Sequence, residues 1–551
     1  MNRNRKRNLF LKKPTAAFAA SMLVMTGITP AMAAGGYQEA EKKALNSVVE
    51  SVKESWDKGL TDYQSVQKGM RSNITLQLDD AGRSMLGMFI PADVSWLERI
   101  GIDVNGTVSE SAEAADMNLL LNDMPLCTMK VLIDFAGMTE YLQIPELSES
   151  YLKAALTMQD NSGMEISEES MEAIWSLASD MTAVMPDAAT VGTLLERYGT
   201  LLIENMEEGP SVEETVSVEG IGEACTVYEG RIYEEGIRDL SEQILTAAKE
   251  DKELENLLHT WSEAFEDSGD LYAGFQSGIE SALADLEAEK ADAGREDDTE
   301  DNKSTEYISS RIWVNGEDRI LGREISLCDG IESQPLFTWK NPQKGDTSAL
   351  LLEMQTDNGT ISFRGSNEKS DGLRNGTYGI AVDGVLMANV EMENYDTQAA
   401  ENGKLDGTFR LSFPQPGGDE TAYNPFQNFV LVLNIASDAN AGMGELDLTL
   451  ESAGVSLGSL KITGSQGEGI EIPDLEKLDK VYDLENESDA ASYLDEVNWD
   501  SILENAGKAG VPEELVTQLD SLIRSALYEE AASEEGVYEE NPSEDTGEGA
   551  A

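Results

Sequence analysis

The 551 residues contain one histidine, His259, and three widely separated cysteines, Cys127, Cys225 and Cys328. That scarcity excludes ordinary zinc sites built from Cys and His, and Cys–His nucleophilic catalysis. No phosphate loop and no paired-glycine dinucleotide signature follows a strand pattern. No apolar run reaches the roughly 20 residues that span a bilayer. Bases are scarce too: 39 Lys and Arg stand against 105 Asp and Glu, a formal net charge of −66. A surface of that sign repels nucleic acid and anionic lipid, so no nucleic-acid partner is expected. Cys127 alternates with Met129, Val131, Ile133 and Phe135 on an apolar strand face and reads as a buried free thiol. A Cys127–Cys225 or Cys225–Cys328 bridge is an alternative that the spacing does not support.

What is present begins with an address. The first 13 residues, MNRNRKRNLFLKK, hold six bases and no acid. An apolar run over 16–28 and the tripeptide Ala31-Met32-Ala33 follow. This is the pattern of a secretory signal cut before Ala34, so residues 1–33 are read as a signal peptide and the protein as secreted. After its removal no integral membrane span is expected. With the six signal bases gone, the mature chain carries −72. Yet 40% of residues are hydrophobic, too many for a disordered polyacid and enough for one large core or two medium ones.

The hydrophobic period changes along the chain. Leu45, Val48, Val49, Val52 and Trp56 recur at helical spacing, with Gly59 as a stop. Period two then takes over: Ile74, Leu76, Leu78; Ile102, Val104; Met117, Leu119, Leu121; Cys127 to Phe135; and Tyr141 to Ile144, with a turn at Asn122-Asp123. Such runs predict an antiparallel meander with one face toward a core. Helical stripes follow at Met171, Ile174, Trp175, Met181, at Leu240, Ile244, Leu245, at Leu254, Leu257, Leu258, Trp261, Phe265, and at Phe275, Ile279, Leu283, Leu286. A short strand pair, Cys225 to Tyr228 and Arg231 to Tyr233, interrupts them. Residues 287–304 are acidic and almost free of large apolar side chains, as in a solvated linker. Beyond it, strands flank Asn315-Gly316, Asp357-Asn358-Gly359 and Asp383-Gly384, and further runs end at Leu446, Leu448 and Leu450. Pro512 opens a last helix carrying Leu515, Leu519, Leu522 and Ile523. From Glu529 there are nine acids and no base, which predicts a disordered tail over 529–551. The expected division is therefore 1–33 signal; 34–286 helix, meander and helices; 287–304 linker; 305–528 antiparallel β-rich region with terminal helices; and 529–551 tail.

Several motifs suggest chemistry and fail on context. Gly454-Val455-Ser456-Leu457-Gly458 fits the G-x-S-x-G nucleophile elbow, which needs a strand, a sharp turn and a helix. Here Leu460 and Ile462 continue a strand, and the shift from odd to even apolar positions calls for a β-bulge at Gly458-Ser459. The triad histidine should follow the serine, whereas His259 precedes it, on the polar side of a helix. Ser65 to Lys68 and Ser150 to Lys153 match S-x-x-K without its companion motifs. Asp160, Asp297 and Asp438 start oxygen-rich turns, but none is a full calcium loop. No catalytic, cofactor-binding or metal residue is assigned.

Two segments carry a resemblance: CTMKVLIDFAGMTEYLQIPELSESYLKAAL (127–156) and YISSRIWVNGEDRILGREISL (307–327). They resemble uncharacterised secreted proteins and lipoproteins of Gram-positive bacteria, which look like relatives of the lipoprotein-carrier half-barrel. The resemblance implies a curved antiparallel sheet whose concave face is covered by helices, with room for an apolar ligand between them, and no catalytic residues. Unlike lipoproteins, this chain has no cysteine after its signal. The expectation is an α+β protein with one or two large curved antiparallel sheets packed against helices, in two half-barrel-like halves or one sheet. It would act as a non-enzymatic binder of an apolar small molecule or lipid. The alternatives are an interaction or structural protein with a cell-envelope partner, and, last, a carboxylate-based glycan hydrolase.

Overall fold

The computed structural model describes residues 36–66, 69–90, 93–109, 111–135, 137–156, 184–264, 270–293, 307–328, 332–356, 359–414, 426–467 and 469–534. The helical stripe at Met171–Met181, the Asp160 and Asp297 turns, Lys68 and the 1–33 segment lie outside these residues.

The fold is α+β; the described residues form one large, mostly antiparallel sheet of 22 strands that does not close, and ten helices. Helix α1 (Tyr37–Val66) opens the described chain and passes through Gly59 without ending there; a solvent-facing glycine weakens a helix by about 1 kcal/mol but does not stop it. The first meander is β1 (Met70–Leu78), β2 (Arg99–Val108), β3 (Ala112–Leu121), β4 (Met124–Asp134), β5 (Thr139–Gln143) and β6 (Tyr151–Ala155). The short helix α2 (Asp80–Leu86) sits between β1 and β2. Asn122 and Asp123 both take positive φ, 49° and 65°, as a two-residue hairpin turn requires.

Helix α3 (Ala188–Glu204) starts at Asp187, whose carboxylate accepts the Thr190 N–H at 2.7 Å. Strands β7 (Glu207–Glu208), β8 (Val212–Val218) and β9 (Ile221–Tyr233) follow. The pair expected at Cys225–Tyr228 and Arg231–Tyr233 is thus one strand, β9. Gly230 does not break it, because it passes against the Tyr37 ring, where a Cβ would lie 2.2 Å from Cε1. Helices α4 (Glu234–Glu250), α5 (Lys252–Ala264) and α6 (Leu271–Ala293) come next, and α6 extends through the first seven residues of the expected linker.

The second meander is β10 (Tyr307–Asn315), β11 (Ile320–Cys328), β12 (Ser333–Lys340), β13 (Gln343–Lys344), β14 (Thr347–Thr356), β15 (Gly359–Ser370), β16 (Leu373–Val382), β17 (Val385–Asp396), β18 (Lys404–Ser412), β19 (Phe429–Asp438), β20 (Met443–Ser452) and β21 (Val455–Gln466). Helix α7 (Thr397–Glu401) links β17 to β18. The chain continues with β22 (Val481–Asp483), α8 (Glu487–Glu496), α9 (Asp500–Lys508) and α10 (Glu513–Glu534). Helix α10 includes the first six residues of the expected tail.

Both meanders belong to the same sheet. β10 pairs with β9, and β21 pairs with β1. The spatial order runs from β8 through β9 to β12, then β14 to β21, then β1 to β6, ending on β22, the one parallel neighbour. Short ends suit so wide a sheet: β22 has three residues, and β8 carries exposed Glu213 and Glu214, both of which discourage edge-to-edge pairing.

The main core lies at the β9–β12 end. Tyr37, Ala40 and Ala44 of α1, Leu202 of α3, and Ile237 and Leu240 of α4 pack on Ile308, Ile312, Ile320 and Ile325. Within it Arg323 and Glu41, both fully buried, form a two-pronged ion pair, with Arg323 Nη2 to Glu41 Oε2 at 2.7 Å. Arg323 also donates to Ser310 Oγ at 3.0 Å. Burial, then the Glu41 carboxylate, push the neighbouring Tyr37 phenol well above its ordinary pKa. A second cluster, Val216, Cys225, Val227, Trp313 and Leu321, packs nearby.

Candidate functional site

The register places apolar side chains of successive strands directly opposite one another, and directly opposed residues project from the same face. One row runs through Met392, Phe409, Leu433, Leu448, Leu460, Leu76, Ile100 and Leu121, from β17 to β3. A parallel row runs through Ile435, Leu446, Ile462, Ile74, Ile102, Leu119 and Cys127, from β19 to β4. Toward β14, Leu352, Phe363, Ile380 and Ala388 continue the same side. Phe363 and Tyr378 stack, with ring centroids 5.0 Å apart, and the Tyr378 ring crosses Gly365, where any Cβ would meet it at 2.6 Å.

The opposite side of these strands is polar. Arg410 bonds Glu451 at 2.7 Å, Lys461 bonds Glu445 at 2.7 Å, and Asn73 bonds Asp103. The sheet is therefore two-faced, as the period-two pattern predicts.

The cover differs from the expectation. At the β9–β12 end the same pattern is sealed by helices. Elsewhere the described helices pack near the margins: α2 on β21 and β1 beside their turn, α7 on β18, α9 on β4 and α8 on β22. The middle of the apolar face remains wet, with Ile74 38%, Leu76 40% and Ile102 37% exposed, whereas Ile308 and Ile312 are fully buried. Sequence reasoning treated all these runs alike.

The motifs considered for chemistry fall into scaffold roles. Ser456 lies inside β21, after a turn in which Ala453 and Gly454 take φ of 50° and 77°. The bulge is present, but at Leu457, where the register against Leu450 and Glu451 shifts. The freed Leu457 carbonyl accepts the Asp79 N–H at 3.1 Å, and the Ser456 hydroxyl donates to the Asp79 carboxylate. Helix α2 begins there, with Gly82 against the same carbonyl, where a Cβ would lie 1.8 Å away. GVSLG is thus the seat of α2. His259 is exposed on α5, its ring 4.9 Å from that of Tyr272.

A cleft of about 590 Å³ beside α2 is lined by Asp79, Arg83, Arg99, Asp123 and Ser456 among others. Three of its carboxylates are bonded within the scaffold: Asp123 to Arg99 at 2.6 and 2.7 Å, Asp80 to Arg83, and Asp79 to Ser456. Ser150 is fully buried and donates to Glu496 at 2.9 Å, while Lys153 faces Asp483 at 3.9 Å. Asp438 pairs with Lys404 at 2.6 Å. Among the described residues no group of three or more His, Cys, Asp or Glu side chains is arranged to hold a metal.

All three cysteines are free. Cys225 and Cys328 face opposite ends of β10, paired with Asn315 and Tyr307. Eight residue steps along a strand span about 27 Å, far beyond the roughly 7 Å limit between bridged Cα atoms. Burial, then the Glu223 carboxylate, raise the Cys225 thiol to about 11.

No known protein family, curated protein or solved structure matches the chain. Its geometry alone carries the functional argument.

Proposed function

We propose that the protein is a secreted, non-catalytic binder of an apolar, lipid-like molecule, held on the open apolar face of its sheet. The carrying observation is the pair of uncharged rows across β17–β21 and β1–β3, in which Ile74 and Leu76 of β1 and Ile102 of β2 stay more than a third exposed. Eight strands at about 4.8 Å, two rows deep, present roughly 500 Å² of sheet plane. Soluble monomers rarely leave more than a few hundred Å² of continuous apolar surface without an occupant. Each Å² removed from water contributes about 25 cal/mol, so an acyl or polycyclic ligand gains affinity there without polar anchors. The basic and apolar pattern of residues 1–33 supports export, where such a ligand would be met.

The test is native mass spectrometry of gently extracted protein together with titration of a monomeric fluorescent fatty acid. A bound lipid or a saturable signal is expected. Ile74→Asn with Ile102→Asn, directly opposed on the face, should weaken the probe about tenfold, a loss of about 1.4 kcal/mol. Recovery of no lipid and no probe binding would discard the reading.

A further inference from the structure

The strand directions collect a second apolar feature along one rim of the sheet. β1, β3, β14, β16, β18 and β20 end at this rim, and β2, β4, β15, β17, β19 and β21 begin there. Its connections carry Met88 (76% exposed), Phe89 (74%) and Phe426, and the strand ends beside them carry Val455, Leu386 and Met354, all exposed. On the opposite rim of these strands the exposed large apolar residues, among the described ones, are Met70, Leu405 and Met443.

The boldest projection is Met88-Phe89-Ile90, which follows α2. Its placement is built: the Leu457 bulge seats Asp79 and Gly82, and the Asn122 amide donates to the Trp96 carbonyl at 2.8 Å on the return path. On that return path Trp96 donates its indole N–H to the Asp93 carbonyl at 2.9 Å.

We infer that this rim docks on a lipid surface with neutral, zwitterionic headgroups, and that the apolar face is loaded from it. The inference rests on the proposed ligand reading for what the docking accomplishes. Three features select a bilayer. The projections stand on separate connections, Met88-Phe89-Ile90 on one and Phe426, beside the Phe413 and Phe429 rings, on another, so fluid lipid can close around each, while a protein partner would need a matching hole for every one. Aromatic and Met side chains beside polar backbone suit the interfacial layer. The charges along the rim, Asp79, Asp80, Asp93, Glu98 and Asp123 against Arg83 and Arg99, oppose an anionic surface. The rim is also continuous with the face, because Met354, Ile361, Val382 and Val385 stand opposite one another as its outermost row.

The experiment is flotation of the full chain with pure phosphatidylcholine vesicles. The wild type should float. M88S/F89S/I90S, and separately F426S/V455S, should each lower vesicle binding about tenfold or more, as expected when inserted side chains are lost. Both variants alter exposed tips and should keep the wild-type circular dichroism and the affinity for a monomeric fatty-acid probe. That retained affinity separates this inference from the ligand reading, which fails only if the probe itself does not bind. Adding about 30% phosphatidylglycerol should weaken flotation. A wild type that stays at the bottom, variants that float equally, or stronger binding to anionic vesicles would overturn the inference. So would a dimer that the same variants dissolve, since the rim would then meet a second copy.

Discussion

Glu41 and Arg323 lie 282 positions apart, and each is fully buried because the other is. Neutralising one leaves a charge in an apolar core, which costs about 3–5 kcal/mol, while replacing both with apolar groups costs far less. Glu41→Gln should therefore lower the free energy of urea unfolding by several kcal/mol, and Glu41→Leu with Arg323→Met should recover most of it. Equal losses in the single and double variants would show that the pair is not the source. Sequence periodicity gave no hint of this pair. Glu41 sits among Lys and Glu on α1, and nothing local distinguishes a charge that finds its partner on a strand. Ser456 is the opposite case: the alternation on either side of it predicts a bulged hairpin, and the structure places the bulge one residue from the expected pair.

At the scale of elements, α2 depends on the Leu457 bulge. Gly82→Val would drive its side chain into the Leu457 carbonyl, so α2 should detach while the sheet survives. Proteolysis between β1 and β2 should rise sharply, with a stability loss of about 1–3 kcal/mol; protection equal to wild type would contradict the seat. The other margin is tuned by acid. Lys480, then the Tyr482 and Ser150 hydroxyls, hold Glu496 down to about 2 from 4.5. A carboxyl depressed in the folded state contributes its full stabilisation above pH 4.5 and loses it as pH falls through about 2. Amide exchange around Tyr482, corrected for intrinsic rate, should therefore lose protection across that window, and Glu496→Gln should flatten the dependence. These elements were mostly legible, since strands of period two and helical stripes differ plainly. The exceptions include α1, which continues through Gly59, α6 and α10, which run into the expected linker and tail, and β9, read as two pieces because the Gly230 approach to Tyr37 is a tertiary contact.

For the whole molecule, the controlling fact is that β21 hydrogen-bonds to β1 and β9 to β10. The strands after residue 306 therefore flank those before residue 294 at two places, β10 beside β9 and β21 beside β1. Cutting the chain between 294 and 306 should leave two fragments that co-elute and unfold in one transition, because separation exposes six strand edges at once, those of β9 and β10, β1 and β21, and β6 and β22. Fragments that part on size-exclusion chromatography would show that these junctions are weak. The same topology aligns the apolar rows of the two meanders into one face, and gathers their turns into one rim. Neither half has the full site alone.

The sequence by itself determined the α+β class, the places of most strands and turns, the two-faced character of the sheet, and the absence of a conventional catalytic motif. These follow from short-range physics: side-chain period, turn stereochemistry and residue supply. Tertiary structure alone decided that the meanders form one sheet, that Glu41 meets Arg323, and that the described helices seal one end of the apolar face and lie at the margins of the rest. Pairing partners and helical cover depend on contacts hundreds of residues apart, and the alternation of a strand reads the same whether its apolar side meets a helix or water.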